Sequence, residues 1–168
     1  MRHRTRLAVV VAVLAAAALA AAVARAASAG GPAADLDLST GGSFSTPSAT
    51  YQTVVSKSFT ATAGVIAVRF SAAGWVQDWT SGGTFSGHAY ASLRARVLVN
   101  GSSLAPGPVV LLDNTGKIGV KKPRPSTGSF EWAGTVAGGA TTVTVQVKNL
   151  HAFDNAQLNH FTLTVQHN

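Results

Sequence analysis

The sequence predicts an all-β fold, an antiparallel β-sandwich of about eight strands with a jelly-roll-like arrangement. Apolar and polar residues alternate with a period of two from Tyr51 onward, and Gly, Asn, Asp or Pro interrupts this alternation at short intervals. After residue 30 no segment keeps apolar residues at helical spacing over three turns, so parallel βαβ units are not expected. An immunoglobulin-like sandwich stays open as the second arrangement, although its usual Cys and Trp markers are missing.

The first 29 residues have the pattern of a secretory signal peptide. Three arginines in Met1–Arg6 precede the apolar run Leu7–Ala24, and small residues follow that run. A positive start, an apolar helix and small residues for the peptidase are the three parts of such a signal. We expect cleavage after Ala26 or Ala29, a secreted extracellular protein, and no membrane association after cleavage. Retention of the apolar run as a membrane anchor is the alternative.

Residues 30–48 are expected to form a flexible spacer. Gly, Ala, Ser, Thr and Pro dominate this segment, and such a composition buries too little apolar surface to offset the entropy of ordering. Asp35 and Asp37 resemble the start of a calcium loop, but Thr40 stands where that loop needs glycine and Thr46 where it needs glutamate. The β-sandwich domain is therefore expected over residues 49–168.

The predicted strands follow one another with short connections. In chain order they are Gln52–Thr60, Val65–Ser71, His88–Val99, Pro108–Leu112, Ile118–Lys122, Ser129–Thr135, Thr142–Lys148 and His160–Gln166. Each contains alternating residues that give it an apolar face and a polar face. The clearest is the third, whose residues predicted to face the core are Ala89, Ala91, Leu93, Ala95, Val97 and Val99. Its residues predicted to face water are His88, Tyr90, Ser92, Arg94 and Arg96.

The connections between these strands contain residues that tolerate positive φ angles. The relevant segments are Ala63–Gly64, Asn100–Gly101, Asn114–Gly116 and Gly138–Gly139. Gly and Asn adopt the left-handed backbone conformation more readily than other residues, and tight reversals of the chain require it. The turn residues therefore agree with an antiparallel fold.

Two phrases resemble small secreted actinobacterial β-sandwich proteins of unassigned function. They are Arg96–Gly101 (RVLVNG) and Ala137–Val147 (AGGATTVTVQV), in which a glycine turn feeds a Val- and Thr-rich strand. The Ala-rich leader and the richness in Ala, Val and Gly add to the likeness, which covers residues 50–168 as a pattern. The resemblance implies an exported β-sandwich module, and it supplies no catalytic motif.

Composition excludes several function classes. The chain has no cysteine, so disulfides, thiol chemistry and thiolate zinc sites are absent. Its charged fraction of 11% is low for a nucleic-acid binder, and four of its arginines lie in the predicted leader. We therefore expect no nucleic-acid partner.

No catalytic residue is assigned from the sequence. The nearest approach to a serine hydrolase elbow, Thr84–His88, lacks the first glycine. A glycosidase needs two facing carboxylates, and Asp78, Glu131 and Asp154 are the candidates outside the predicted spacer and turns. A hydrolase of an extracellular polymer stays the alternative function, which convergence of these acids or of a histidine in one cleft would favour.

Four residues are candidate ligands of a metal site without thiolates: His88, His151, Asp154 and His160. The last three bracket a single predicted loop, but the His-x-x-x-His spacing of a helical metal site is absent. Loop histidines are common in small domains without a ligand role. We therefore expect neither a metal site nor a cofactor.

The predicted loop Ala72–Gly87 carries the candidate ligand-binding residues, which are Trp75, Gln77, Asp78, Trp79 and Phe85. Flat aromatic faces beside amide and carboxylate groups suit sugar rings, because the faces cover apolar hydrogens while the polar groups bind hydroxyls. The alternative is that these aromatics fold inward as a lid on the sandwich. Trp132, on a predicted strand, is expected in the core.

A second candidate site is basic and would bind anions. It consists of Lys117, Lys121, Lys122 and Arg124, with Arg94 and Arg96 as a further extension. Such a cluster suits an anionic cell-wall polymer, but lysine and proline also protect exposed edge strands from pairing. The sequence thus predicts a secreted non-catalytic binding or structural module, whose partner is a glycan or an anionic cell-wall polymer. It does not predict the oligomeric state.

Overall fold

The computed structural model describes residues 35–78, 91–114, 124–152 and 154–167. The predicted leader and the predicted strand Ile118–Lys122 lie outside the described residues. The described strands are β1 (Asp35–Gly41), β2 (Phe44–Thr46), β3 (Gln52–Ala61), β4 (Gly64–Asp78), β5 (Ala91–Val99), β6 (Ser102–Ser103), β7 (Val109–Asn114), β8 (Arg124–Val136), β9 (Gly139–Asn149) and β10 (Asp154–His167).

The strands form two antiparallel sheets. In the first sheet the order is β1-β10-β4-β8, and β2 also pairs with β10. In the second sheet the order is β3-β9-β5, with both β6 and β7 paired with β5. The first and last strands are thus neighbours, and the chain passes between the sheets rather than folding into simple hairpins. This confirms the predicted antiparallel sandwich of the jelly-roll type and distinguishes it from the immunoglobulin order.

The core lies between the inner faces of the two sheets. On β4 Ile66, Val68 and Phe70 are fully buried, while Arg69 between them is exposed. The inward residues of β5 and β9 are likewise buried, as the alternation predicts: Ala91, Leu93, Ala95, Val97, Val99, Val143, Val145 and Val147. Each buried Val, Leu, Ile or Phe side chain contributes about 1.5–3 kcal/mol to folding. The period-two pattern therefore specifies which face of each strand is buried in the core.

Trp132 of β8 is the largest fully buried side chain among the described residues. Its indole Nε1 donates a hydrogen bond to the carbonyl oxygen of Gly107 at 2.8 Å. Its ring lies 5.3 Å from that of Phe130, centroid to centroid, in a tilted arrangement. The side chain therefore fills the core and keeps its one polar group satisfied, which confirms the predicted core position.

Two turns have the predicted backbone conformation. Asn100 and Gly101, between β5 and β6, have φ angles of 49° and 83°. Gly138, between β8 and β9, and Gly139, the first residue of β9, have φ angles of 86° and 91°. The Oδ1 atom of Asn100 also accepts a hydrogen bond from the backbone nitrogen of Thr142 at 2.8 Å, which ties the first turn to β9.

Gly128 allows the two sheets to approach closely at one point. A Cβ atom added to Gly128 of β8 would overlap the carbonyl oxygen of Leu111, which belongs to β7 of the other sheet. Backbone atoms cannot move aside as the end of a flexible side chain can. The position therefore requires a residue without a side chain.

The structure differs from the sequence prediction in residues 30–48. From Asp35 onward this segment is not a spacer, because β1 runs antiparallel along β10 over all seven of its residues. The short strand β2 pairs with the other half of β10. Backbone pairing with an existing strand orders the segment despite its small polar residues, so the described sandwich begins at Asp35 and not at residue 49.

Two strands extend into segments predicted as loops. β4 continues through residues 72–78, paired with β10 to Asp78 and with β8 as far as Val76, so this part of the predicted loop Ala72–Gly87 is strand. β10 begins at Asp154 and contains a register shift between Leu158 and His160. Ala and Gly have low β-propensity, which explains why the run Ala72–Gly74 hides the continuation of β4.

Among the described residues, none forms a helix that is long and apolar enough to cross a membrane.

Candidate functional site

The outer face of the first sheet, which points away from the core, is the candidate functional site. Neighbouring strands in an antiparallel sheet place register partners on the same face. The face is formed along its centre by alternate β4 residues: Ala67, Arg69, Ser71, Ala73, Trp75 and Gln77. Their partners on β8 and β10 flank them: Pro125, Thr127, Ser129, Glu131, Gln157, Thr162 and Thr164.

Trp75 lies on this outer face and not in the core. Its chain neighbours Gly74 and Val76 are buried on the inner side, so the indole projects from the opposite side of β4. Its register partners are Pro125 on β8 and Gln157 on β10, and its side chain is partly exposed. The inward-lid alternative therefore does not describe Trp75, which lies on the outer side of β4 with intermediate exposure.

The other predicted ligand-binding residues have different positions. Gln77 follows Trp75 on the same face and is buried. Asp78 ends β4, where its backbone pairs with Asp154, and its side chain lies outside the described residues. Trp79 and Phe85 also lie outside the described residues. The described part of the predicted cluster is therefore Trp75 together with Gln77.

A shallow depression of about 550 Å³ lies on this face around Ala73, which precedes Trp75 on the same side of β4; Trp75 itself does not line it. The side chains of Ser71, Thr127, Ser129, His160 and Thr162 surround it, and Ala73 contributes the smallest side chain. The hydroxyl groups of Ser71 and Ser129 are hydrogen-bonded at 2.7 Å. The depression thus has the small side chain of Ala73 at its base, and around it lie hydroxyl and imidazole groups that donate and accept hydrogen bonds.

A smaller depression of about 110 Å³ continues the face toward the start of β4. Arg69 and Glu131 line it, and the Nη2 atom of Arg69 lies 2.9 Å from Oε2 of Glu131. Their side chains are 62% and 47% exposed, so water screens this ion pair and it contributes little to stability. The distance along β4 from Trp75 to Arg69 is about 20 Å, which makes the face long enough for an extended ligand.

The candidate acids of a hydrolase are separated. Glu131 is on the outer face of the first sheet, whereas Asp154 is 1% exposed and its Oδ2 atom accepts a hydrogen bond from the backbone nitrogen of His151 at 3.2 Å. His160 shares the outer face with Glu131, but their register partners on β4 lie about 13 Å apart along the strand. Glu131, Asp154 and His160 therefore do not form one cleft.

The candidate metal ligands do not converge on one described site, although the backbone nitrogen of His151 contacts the Asp154 carboxylate. His160 is exposed on the outer face, while Asp154 faces inward. Among residues 35–78, 91–114, 124–152 and 154–167, no group of three or more His, Cys, Asp or Glu side chains has a geometry suited to a metal ion. His88 lies outside these ranges.

The predicted basic cluster falls mostly outside the described residues. This holds for Lys117, Lys121 and Lys122, and for the side chain of Arg124, the first residue of β8. Arg94 and Arg96, the predicted extension, lie on the outer face of the second sheet. The structure adds Tyr51 and Lys148 beside them, a grouping that alternation cannot reveal because it fixes faces and not strand neighbours.

The residues of the 550 Å³ depression were missed by the sequence analysis for the same reason. Ser71, Ser129 and His160 come from three separate predicted strands, and each is an ordinary polar residue in its own segment. Only the strand order brings them together. Their one signal in the sequence is a place on the polar face of a predicted strand.

No protein-family model matches the chain, and no curated protein matches its sequence. The fold is similar to that of several solved structures at low identity. The latent PorU dimer of Porphyromonas gingivalis gives a TM-score of 0.46 at 10% identity over 80% of this chain, which spans 13% of that protein.

Two similar structures are modules of comparable size. The CBM36-1 domain of a multidomain xylanase from the hindgut metagenome of Trinervitermes trinervoides gives a TM-score of 0.36 at 10% identity, over 77% of this chain and 96% of that domain. A family 35 carbohydrate binding module from an environmental isolate gives 0.32 at 15% identity, over 63% and 62% of the two chains. These similarities concern the arrangement of strands and assign no function.

Proposed function

We propose that this protein is a non-catalytic carbohydrate-binding module that holds an extended glycan on the outer face of its first sheet. The observation that carries the proposal is the position of Trp75 on that face, next to Ala73 on the same side of β4, which lines a depression bordered by hydroxyl groups. Trp75 is a large aromatic side chain on the solvent side of a strand whose inner side supplies the core. Such an arrangement gives a sugar ring an apolar surface to lie on.

The polar groups beside Trp75 have the chemistry that sugar hydroxyls need. Ser71, Ser129 and Thr162 each provide a hydroxyl that donates and accepts, and His160 provides ring nitrogens. None of these groups brings a carboxylate into the depression. The set therefore favours a neutral polyhydroxylated ligand over a cation.

The shape of the face favours a chain over a single small molecule. The depressions of about 550 Å³ and 110 Å³ lie along the same direction of β4, and Arg69 and Glu131 line the second. Small-molecule sites usually enclose most of the ligand surface. A long open face instead contacts one side of a polymer and leaves the other side in water.

The test is binding of the chain from Gly30 onward to a panel of neutral polysaccharides, followed by calorimetry with a glycan that binds. Trp75→Ala is expected to weaken binding at least about tenfold, which corresponds to about 1.4 kcal/mol. Trp75→Phe, which keeps an aromatic face, should retain part of the affinity. Ala73→Arg should also weaken binding, because it fills the depression without removing a hydrogen-bonding group.

Val110→Ala is the matched control, since Val110 is an exposed apolar residue on the outer face of the other sheet. The proposal fails if no glycan binds the unmodified chain. It also fails if Trp75→Ala and Ala73→Arg bind as tightly as Val110→Ala. Release of new reducing ends from the bound glycan would favour the hydrolase instead.

A further inference from the structure

We propose a second and separate site, for oxyanions such as phosphate or sulfate groups, on the outer face of the second sheet. It is formed by Arg94 and Arg96 of β5, Lys148 of β9, and Tyr51, which immediately precedes β3. The site is independent of the proposed glycan-binding face, because it lies on the other sheet and shares no residue with it.

Strand register brings the three cations together. Arg94 of β5 is the register partner of Lys148 of β9, and Arg96 of β5 is the register partner of Gln146 of β9. Alternate residues of a strand share a face, so Arg94, Arg96 and Lys148 project from the same side of the sheet. Like charges placed directly opposite each other are unfavourable in a sheet. A bound anion would remove that repulsion between Arg94 and Lys148.

Tyr51 holds two of the cations in place. The guanidinium carbon of Arg96 lies 3.9 Å from the centroid of the Tyr51 ring, and the Nζ atom of Lys148 lies 5.0 Å from the same centroid. Both distances are within the range of a cation–π interaction. Two flexible cationic side chains are therefore restrained at one aromatic ring, which lowers the entropy lost when they bind a ligand.

Gln146 fixes the orientation of Arg96. The Nε and Nη2 atoms of Arg96 donate hydrogen bonds to Oε1 of Gln146 at 3.0 and 2.8 Å. The amide nitrogen of Gln146 in turn donates to the hydroxyl of Thr53 at 3.3 Å. Of the five N–H donors of a guanidinium, those on Nη1 and one on Nη2 remain for a ligand. Arg96 is thus oriented without being saturated.

One hydrogen-bond donor of Arg94 lacks an acceptor. Its Nε atom is buried and has no hydrogen-bond partner among the described residues. A buried donor without a partner costs about 1–3 kcal/mol, and more when it carries charge. An oxyanion bound beside Arg94 would supply a compensating negative charge to the guanidinium. Guanidinium groups bind phosphate and related anions with paired, charge-assisted hydrogen bonds.

No carboxylate forms an ion pair with this cluster within the described residues. Asp113 lies on this face, as the partner of Ser92. Within the described residues, the one ion pair at 4.0 Å or less joins Arg69 and Glu131 on the other sheet. Three described cations therefore share this face with one carboxylate, Asp113, and the face keeps a net positive charge.

The same geometry favours an anionic polysaccharide over a nucleic acid as the source of the oxyanion. Single-stranded nucleic acids are held by bases that stack on free aromatic faces. Here Arg96 and Lys148 already occupy the neighbourhood of the Tyr51 ring. The Tyr51 ring therefore restrains the two cations, and the ligand would be recognised through charge and hydrogen bonds.

The test measures binding of heparin, a sulfated polysaccharide, and of inorganic sulfate alone, with neutral dextran and single-stranded DNA as comparison probes. We expect heparin to bind at about 50 mM salt and to weaken strongly at about 500 mM, because salt screens exposed charges. Arg94→Gln and Lys148→Gln are each expected to weaken heparin binding at least about tenfold, the worth of one charge-assisted contact. Saturable binding of sulfate alone, lost in Arg94→Gln, would assign the site to a free ion rather than to a polymer.

Arg69→Gln is the matched control, since it removes one cation from the first sheet, and it should change heparin binding less than about twofold. The proposal is overturned if heparin and sulfate both fail to bind, or if Arg69→Gln weakens binding as much as Arg94→Gln. It is also overturned if binding is lost only when Lys117, Lys121 and Lys122 are all changed to Gln, or if DNA binds more tightly than heparin. Trp75→Ala should leave heparin binding unchanged, which separates this test from the test of glycan binding.

Discussion

Removal of the Trp132 side chain tests whether the core between the sheets stabilises the fold as described. The side chain is fully buried, packs against Phe130 and donates a hydrogen bond to the carbonyl oxygen of Gly107. Trp132→Ala removes the whole ring system, a change that costs about 3–5 kcal/mol in other cores. For a domain of this size that loss corresponds to a decrease of about 12–20 °C in melting temperature.

Trp132→Phe divides this cost into its parts. It keeps an aromatic ring in the core but removes the hydrogen bond to Gly107, a loss of about 1 kcal/mol. The smaller ring also leaves a cavity, so the expected total is about 1–2 kcal/mol, or about 4–8 °C. This variant keeps the test valid if Trp132→Ala does not fold.

The assay is urea denaturation followed by circular dichroism, together with thermal melting. Phe130→Ala is the control, because Phe130 lies two residues away on β8 and is 38% exposed. Its expected cost is about 1 kcal/mol, in line with the smaller area that it buries. The assignment of Trp132 as the central core residue is wrong if Trp132→Ala destabilises the protein no more than Phe130→Ala does.

Two further predictions concern a glycine and the leader. Gly128→Ala is expected to lower the free energy of unfolding by about 1–3 kcal/mol, because the new methyl group would press on the backbone of Leu111. Gly42→Ala is the control: nothing lies within 4 Å of the added atom, so the change should be less than about 0.5 kcal/mol. Equal denaturation midpoints for the two variants would contradict this prediction. The protein recovered from culture medium is expected to begin at Ala27 or Gly30 by intact mass, and an uncleaved chain in the membrane fraction would refute the predicted export.

Much of the fold was predictable because a strand with one buried face has alternating apolar and polar residues in its sequence. The alternation around Ile66, Val68 and Phe70 identifies the inner face of β4 without knowledge of its neighbours. By contrast, β1 could not be predicted from its composition. Its order comes from pairing with β10, which lies more than a hundred residues later in the chain. Segments ordered mainly by distant partners give a weak local signal.

The candidate site was predictable only where one residue carried the signal. Trp75 is conspicuous in the sequence, and the position of Trp75 on the outer face follows from the parity of β4 once that strand is known to continue through residue 78. The depression beside it required knowledge that β8 and β10 flank β4. The contact of Arg96 and Lys148 with Tyr51 likewise depends on the strand order of the second sheet. Strand order is a property of the whole chain and not of any local pattern.

The pairing of β1 with the end of β10 brings the two ends of the sandwich side by side. Asp35, the first described residue, is the register partner of His167, the last, and partners in an antiparallel ladder have Cα atoms only about 5 Å apart. A linker of a few residues would therefore join these two ends. New termini could then be placed in a loop elsewhere, and the circularly permuted chain would keep both sheets. For the same reason the whole sandwich can be inserted into a surface loop of another protein, entering and leaving its host at a single point.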